Sequence, residues 1–149
     1  MSSNLEKAAA LLRNGNLTFA AVNGEKTLTS VKRGIRPILE LLDSGAKLHG
    51  FSVADKVIGK AAAFIYILLE PDEIFADVIS SQALKELENY NVKISFTTLT
   101  EAVRNRDNTG YCPMETAVKN AGSPDEALIL IRKKLSEITY TKNSSDTGK

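Results

Sequence analysis

A chain of 149 residues is the size of one ordinary domain, and its 43% hydrophobic and 25% charged residues match a globular protein that buries its own core. Lysine plus arginine (19) nearly balances aspartate plus glutamate (18), leaving a net charge of +1 and no global field to draw in nucleic acid or an anionic membrane. A single cysteine and a single histidine exclude an internal disulfide and a closed structural zinc site.

In chain order, Asn4 can cap a first helix whose apolar residues Leu5, Ala8, Ala9 and Leu12 share one face before Gly15 ends it. Segments Leu17 to Val22 and Lys26 to Val31 flank Asn23-Gly24, a strong hairpin signal, and predict two antiparallel strands. After Lys32-Arg33-Gly34 a helix with Ile38, Leu39, Leu41 and Leu42 on its apolar face closes at Ser44-Gly45. Alternation follows: strand His49 to Asp55, helix Lys56 to Leu69, strand Glu73 to Ser80, helix Gln82 to Tyr90, strand Val92 to Leu99. Such alternation predicts parallel strands with crossover helices. The helix from Lys56 is apolar nearly all round, which suits a central element pressed between the sheet and other helices or a partner subunit. A further helix is predicted from Cys112-Pro113 to near Asn120-Ala121-Gly122. The last starts at Ser123-Pro124-Asp125-Glu126, with Leu128, Ile131, Leu135 and Ile138 on its apolar face. Residues 1–140 read as a single α/β domain and 141–149 as a flexible polar tail.

The longest apolar run, Ala61 to Leu69, is too short to cross a bilayer, and Met1-Ser2-Ser3-Asn4 has no signal-peptide core. The expected location is the cytoplasm.

Open sheets with parallel crossovers bind ligands beyond the carboxyl ends of their strands. Three segments occupy that kind of junction: Lys32 to Pro37, Ala54 to Lys60, and Asn105 to Glu115. With Pro113 in the first helical position, Cys112 becomes the N-cap, where unsatisfied N–H groups and the helix dipole favour thiolate. Arg104 or Arg106 would help, and Glu115 folded back as a capping-box acid would oppose it. The plainer reading is a small, half-buried cap residue. Asp55 reads as an N-cap at a strand's carboxyl end, able also to orient a ligand or move a proton beside Lys56. Gly59 in the following helix points to close approach by backbone or ligand, or to tight helix packing. Lys32, Arg33 and Arg36 around a helix start oppose the macrodipole, which an anionic ligand would relieve; solvent or an acid such as Glu40 is the alternative partner. Asn105, Arg106, Asn108, Thr109 and Gly110 form a polar loop able to line the same pocket or to serve only as a turn. His49 stands six residues before Asp55, about 20 Å along the same strand, and belongs to the surface rather than to a metal site with Cys112.

Together, "KRGIRPILELL", "VADKVIGKAAA" and "NRDNTGYCPMET" resemble the DUF1893 family, whose structural representative is similar in fold to the cytidine deaminases. The resemblance covers roughly Leu17 to Ala121. It implies a three-layer α/β/α sandwich around a mixed five-stranded sheet, and a further similarity to the formate dehydrogenase accessory sulfurtransferases, which lack the deaminase metal site and use cysteine chemistry. The residues it carries onto this chain are Lys32, Arg33, Gly34, Asp55, Lys56, Gly59, Asn105, Arg106, Gly110, Cys112 and Glu115. Zinc deaminases need a His or Cys with a Glu at one helix start and two Cys at the next. The corresponding starts here read Lys32-Arg33-Gly34-Ile35-Arg36 and Ala54-Asp55-Lys56, so no metal and no cofactor is expected.

Two functions follow. The first is a binding domain for a nucleotide or other small anionic metabolite, built from Lys32, Arg33, Gly34, Arg36, Lys56, Gly59, Asn105, Arg106 and Gly110. The second is a metal-free enzyme with Cys112 as nucleophile or sulfur acceptor and Asp55 or Glu115 as proton handler. A nucleophile without a nearby histidine lacks an obvious base, which favours the first. With aromatics at 6% there is no aromatic–basic platform for nucleic acid. The apolar surface of the helix Lys56 to Leu69 and of the final helix exceeds what one sheet face needs, which predicts a homo-oligomer.

Overall fold

The computed structural model describes residues 2–103 and 112–147. Helix α1, Ser3–Asn14, is capped by the Ser2 hydroxyl, which accepts from Leu5 N–H. The Asn4 side chain accepts instead from Gly24 N–H and ties α1 to the following hairpin. In that hairpin, strands β1 (Phe19–Asn23) and β2 (Lys26–Ser30) pair antiparallel, with Asn23 opposite Lys26 and Gly24 at φ +60°, a conformation glycine adopts without a Cβ clash. Then come α2 (Arg36–Asp43), β3 (Ser52–Ile58), α3 (Lys60–Leu69), β4 (Glu73–Ser80), α4 (Ser81–Asn89) and β5 (Ile94–Thr100). The chain closes with α5 (Pro113–Ala117) and α6 (Pro124–Thr147).

Three boundaries differ from the sequence reading. Strand β3 runs on through Val57 and Ile58, paired with Val78 and Ile79, so Asp55 lies mid-strand and is not a helix cap. The helix begins only after Gly59, because β-branched Val57 and Ile58 prolong the ladder. Helix α5 stops at Ala117, short of Asn120. Helix α6 continues to Thr147, through residues expected to form a tail, since no glycine or proline interrupts it between Pro124 and Gly148.

The sheet is mixed, in the order β2-β1-β3-β4-β5, with β1 antiparallel to both neighbours and β3, β4 and β5 parallel. Helix α1 covers one face, where Leu5, Ala8, Ala9 and Leu12 pack on Ala20, Val22, Ala54 and Phe75. The other face carries the main core, with Val53, Ile58, Ile74, Ala76 and Ile79 from the sheet under Phe64, Ile65, Tyr66 and Leu69 of α3 and Ala83 and Leu87 of α4. Along β3 and β4 the inward alternation slips by one residue after Asp55 and Ala76, so Ile58 and Ile79 turn into the core while Val57 is left exposed. Helix α3 is enclosed by the sheet and by α2, α4 and α6 of the same chain. Its apolar surface, expected to drive self-association, is therefore spent within the monomer.

Because β3, β4 and β5 run parallel, joined by the crossover helices α3 and α4, their carboxyl ends lie along one edge of the sheet. Into that edge open the starts of α3 and α4 and the chain after β5.

Candidate functional site

At the carboxyl end of β3, Gly59 is the N-cap of α3 and has no side chain with which to cap it. The missing acceptor comes from α5: Glu115 takes hydrogen bonds from the backbone N–H groups of Lys60 (2.6 Å) and Ala61 (2.9 Å) through its two carboxylate oxygens. Glycine at position 59 is what admits this carboxylate, since a Cβ there would lie 1.7 Å from Glu115 Oε1. Two orphan donors and the positive end of a helix dipole thus receive an anion from a residue 55 positions away. Burial pushes the Glu115 carboxyl up from its ordinary range, against the pull of the two N–H groups and of the Lys60 charge. Glu115 accordingly caps α3, not its own helix.

Cys112 is the N-cap of α5, with Pro113 following as the sequence predicts, but its side chain makes no capping hydrogen bond. The thiol is half-buried and packs against the main core. Its backbone N–H donates to Val103 O at 3.1 Å, which pins α5 to the end of β5.

Between these elements lies a cavity of about 590 Å³, lined among the described residues by Ser80 at the end of β4 and Gln82 at the start of α4, Thr100 at the end of β5 and Glu101 to Val103 beyond it, and Glu115, Thr116 and Lys119. Its volume falls in the range of small-molecule sites, and its place beyond the carboxyl ends of parallel strands is where open α/β sheets bind ligands. Hydroxyl, amide, carboxylate and ammonium groups share the wall with the apolar side chains of Ala102 and Val103.

Of the residues singled out from the sequence, the structure brings Glu115 and Gly59 together and sets Glu115 in the cavity wall. Asp55 is separate. It is 8% exposed, with its Oδ2 accepting from the Tyr66 hydroxyl at 2.6 Å beneath α3. Burial pushes the Asp55 carboxyl up to about 7, only partly countered by the bonds from Tyr66, Val57 and Lys56. Burial and the neighbouring Asp55 charge raise the Tyr66 phenol as well. Lys32 is engaged by Glu40 at 2.8 Å, the alternative partner read from the sequence. Arg33, Gly34 and Arg36 are exposed at the start of α2, and Lys56 is exposed on β3. His49 is exposed before β3, where Glu70 binds it at 2.5 Å. Arg104, Asn105, Arg106, Asn108, Thr109 and Gly110 lie outside the described residues.

The sequence reading missed Ser80, Gln82, Thr100, Glu101, Thr116 and Lys119. The rule that parallel strands present ligands at their carboxyl ends applies equally to Ser80 and Thr100 and was the available signal. Among the described residues no group of three or more His, Cys, Asp or Glu could hold a metal ion, and no helix is long and apolar enough to cross a membrane.

A family model described as "Domain of unknown function (DUF1893)" matches residues 7–135. The chain belongs to the DUF1893 family. A crystal structure of a DUF1893 family protein from Thermotoga maritima is similar, with 32% sequence identity, a TM-score of 0.80 and 92% of each chain covered. Comparison with curated proteins gives no match. The DUF1893 chain thus shares its α/β fold with a solved relative over nearly its whole length.

Proposed function

We propose that this DUF1893 protein is a cytoplasmic binding domain for a nucleotide or other small anionic metabolite, on a cytidine deaminase-like fold that has lost the zinc site. The observation that carries the reading is the cavity beyond β4 and β5, whose mixed wall suits a flat, partly apolar body edged with hydrogen-bonding groups. Lys119 supplies the cation for an anionic group, while the charge of Glu115 is already committed to the start of α3. The deaminase-like part rests on the element order, a helix and two strands followed by alternating helices and strands. The two helix starts that carry zinc ligands in deaminases correspond here to Gly34-Ile35-Arg36 and Gly59-Lys60-Ala61, with no cysteine or histidine. The enzyme alternative centred on Cys112 has less support, because that sulfur packs against the core and makes no capping bond.

The test is a thermal-shift screen of nucleosides, nucleotides and phosphorylated sugars against wild type and Thr116→Trp, an exposed position at which the indole would fill the cavity. A ligand at 100 times its Kd stabilises by about 2.7 kcal/mol, a shift of several degrees. Nucleotides should raise the Tm of wild type and not of the variant. No shift with any compound, or equal shifts in both proteins, would refute the proposal.

A further inference from the structure

We infer that Asp55 and Tyr66 are positioning residues: their hydrogen bond fixes where α3 sits on the sheet, and so holds the start of that helix where Glu115 and the cavity wall meet it. The inference rests on the cavity being the binding site proposed above. Helix α3 is apolar along its length, with Ala61 to Tyr66 and Leu69 all buried between the sheet and α2, α4 and α6. Apolar contact has no direction, so a helix of this kind can slide along its axis or turn about it while burying nearly the same area. Among the described residues one hydrogen bond crosses from α3 to the sheet. The hydroxyl of Tyr66, the largest of the fully buried side chains, donates to Asp55 Oδ2 at 2.6 Å. The other oxygen, Oδ1, accepts from Val57 N–H at 3.4 Å and ties the carboxyl to the backbone of β3. Asp55 is also the one charged side chain among the buried described residues. Two apolar side chains in place of such a pair would stabilise the fold as well or better; what the pair adds is direction, because it forms at one helix position only.

That position is the one the site needs. Lys60 lies about 9 Å along the helix from Tyr66, within one rigid element. A slip of α3 by one residue shifts its start by about 1.5 Å and turns it by about 100°. The N–H groups of Lys60 and Ala61, 2.6 and 2.9 Å from the Glu115 oxygens, then fall out of line with them. The Lys60 ammonium, which donates to Lys119 O at 3.0 Å, moves with the helix start. Glu115 and Lys119 both stand in the cavity wall, so a helix out of place leaves that wall without its seat.

The experiment compares wild type with Asp55→Asn, which keeps an acceptor for the Tyr66 hydroxyl, and with Asp55→Val/Tyr66→Phe, which puts two apolar side chains in place of the pair. The double variant should melt at or above the wild-type temperature. Without ligand, amide hydrogen exchange at Lys60 and Ala61 should nonetheless be faster in it by on the order of tenfold, while Val53 and Ile74 in the sheet exchange as in wild type. Asp55→Asn should keep the wild-type pattern at Lys60 and Ala61, a rescue that follows the hydrogen bond and not the charge. Adenosine and cytidine monophosphates, titrated into each protein, should bind Asp55→Asn as they bind wild type and the double variant on the order of tenfold more weakly. If neither monophosphate binds wild type, the binding proposal fails and the exchange comparison still decides this inference. Wild-type exchange at Lys60 and Ala61 in a folded double variant overturns it. A double variant that melts below wild type, with faster exchange throughout the sheet, overturns it too, because the pair would then serve stability alone.

Discussion

Replacing Gly59 by alanine tests the contact on which the site is built. The new Cβ would fall 1.7 Å from Glu115 Oε1, and because that oxygen ends a flexible side chain, the carboxylate swings away and the backbone does not break. What is lost is the cap on α3: the N–H groups of Lys60 and Ala61 lose their acceptor, at a cost of about 2 kcal/mol. Gly59 has φ −99° and ψ −177°, extended backbone that alanine adopts freely, so the substitution also gains about 0.4–1 kcal/mol from a stiffer unfolded chain. The net loss for Gly59→Ala is about 1–2 kcal/mol. Glu115→Ala removes the same cap and should cost about 2 kcal/mol. In the Glu115→Ala background, however, Gly59→Ala has no cap left to break and should be neutral or slightly stabilising. The double-mutant cycle should therefore show a coupling of about 2 kcal/mol in urea-denaturation midpoints at unchanged slope. Gly59→Ser with Glu115→Ala should recover much of the loss, since the serine hydroxyl caps the helix locally. If Gly59→Ala destabilises the protein equally with and without Glu115, the reasoning fails.

The remaining predictions concern buried and surface pairs. With its folded pKa raised to about 7 from 3.8, Asp55 binds more protons folded than unfolded, so its contribution is favourable at low pH and is lost as pH rises from about 4 to 7. Asp55→Asn, which keeps an acceptor for Tyr66, should thus match wild type near pH 4 and exceed it at pH 8 by up to about 4 kcal/mol, read from chemical denaturation at both pH values. An Asp55→Asn variant less stable than wild type at pH 8 would contradict the burial argument. Tyr66→Phe removes the hydroxyl that serves the buried carboxylate and should cost about 1–3 kcal/mol, more at pH 8 than at pH 5. The exposed pair of Arg132 with Asp43, at 2.5 Å between α6 and α2, should matter little: Arg132→Ala is expected to cost under about 1 kcal/mol in the same assay.

The order of helices and strands was legible because turn signals and caps such as Asn23-Gly24 and Ser123-Pro124 act over a few residues. The boundary between β3 and α3 was not, because Val57 to Leu69 is apolar almost without interruption and no periodicity marks where strand gives way to helix. That boundary is set by Gly59 together with a carboxylate from α5, a contact that leaves no local pattern. The misplaced boundary moved Asp55 to a helix start in the sequence reading, whereas its partner Tyr66 reaches it only through the packing of α3 on β3. Cys112 as N-cap was legible from Pro113 alone. The cavity was half legible: the strand-end rule points to the sheet edge where it lies, but the hydroxyls of Ser80 and Thr100 form no motif, whereas the charged and sulfur-bearing junctions do.

The most direct measurement is a titration of ¹⁵N-labelled protein with a nucleotide, followed by amide chemical shifts. A binding domain of the kind proposed should show saturable shifts concentrated at Thr100 to Val103 and at Glu115 to Lys119, with Lys32 to Arg36 unmoved. Shifts centred on Lys32, Arg33 and Arg36, or none up to millimolar nucleotide, would contradict it.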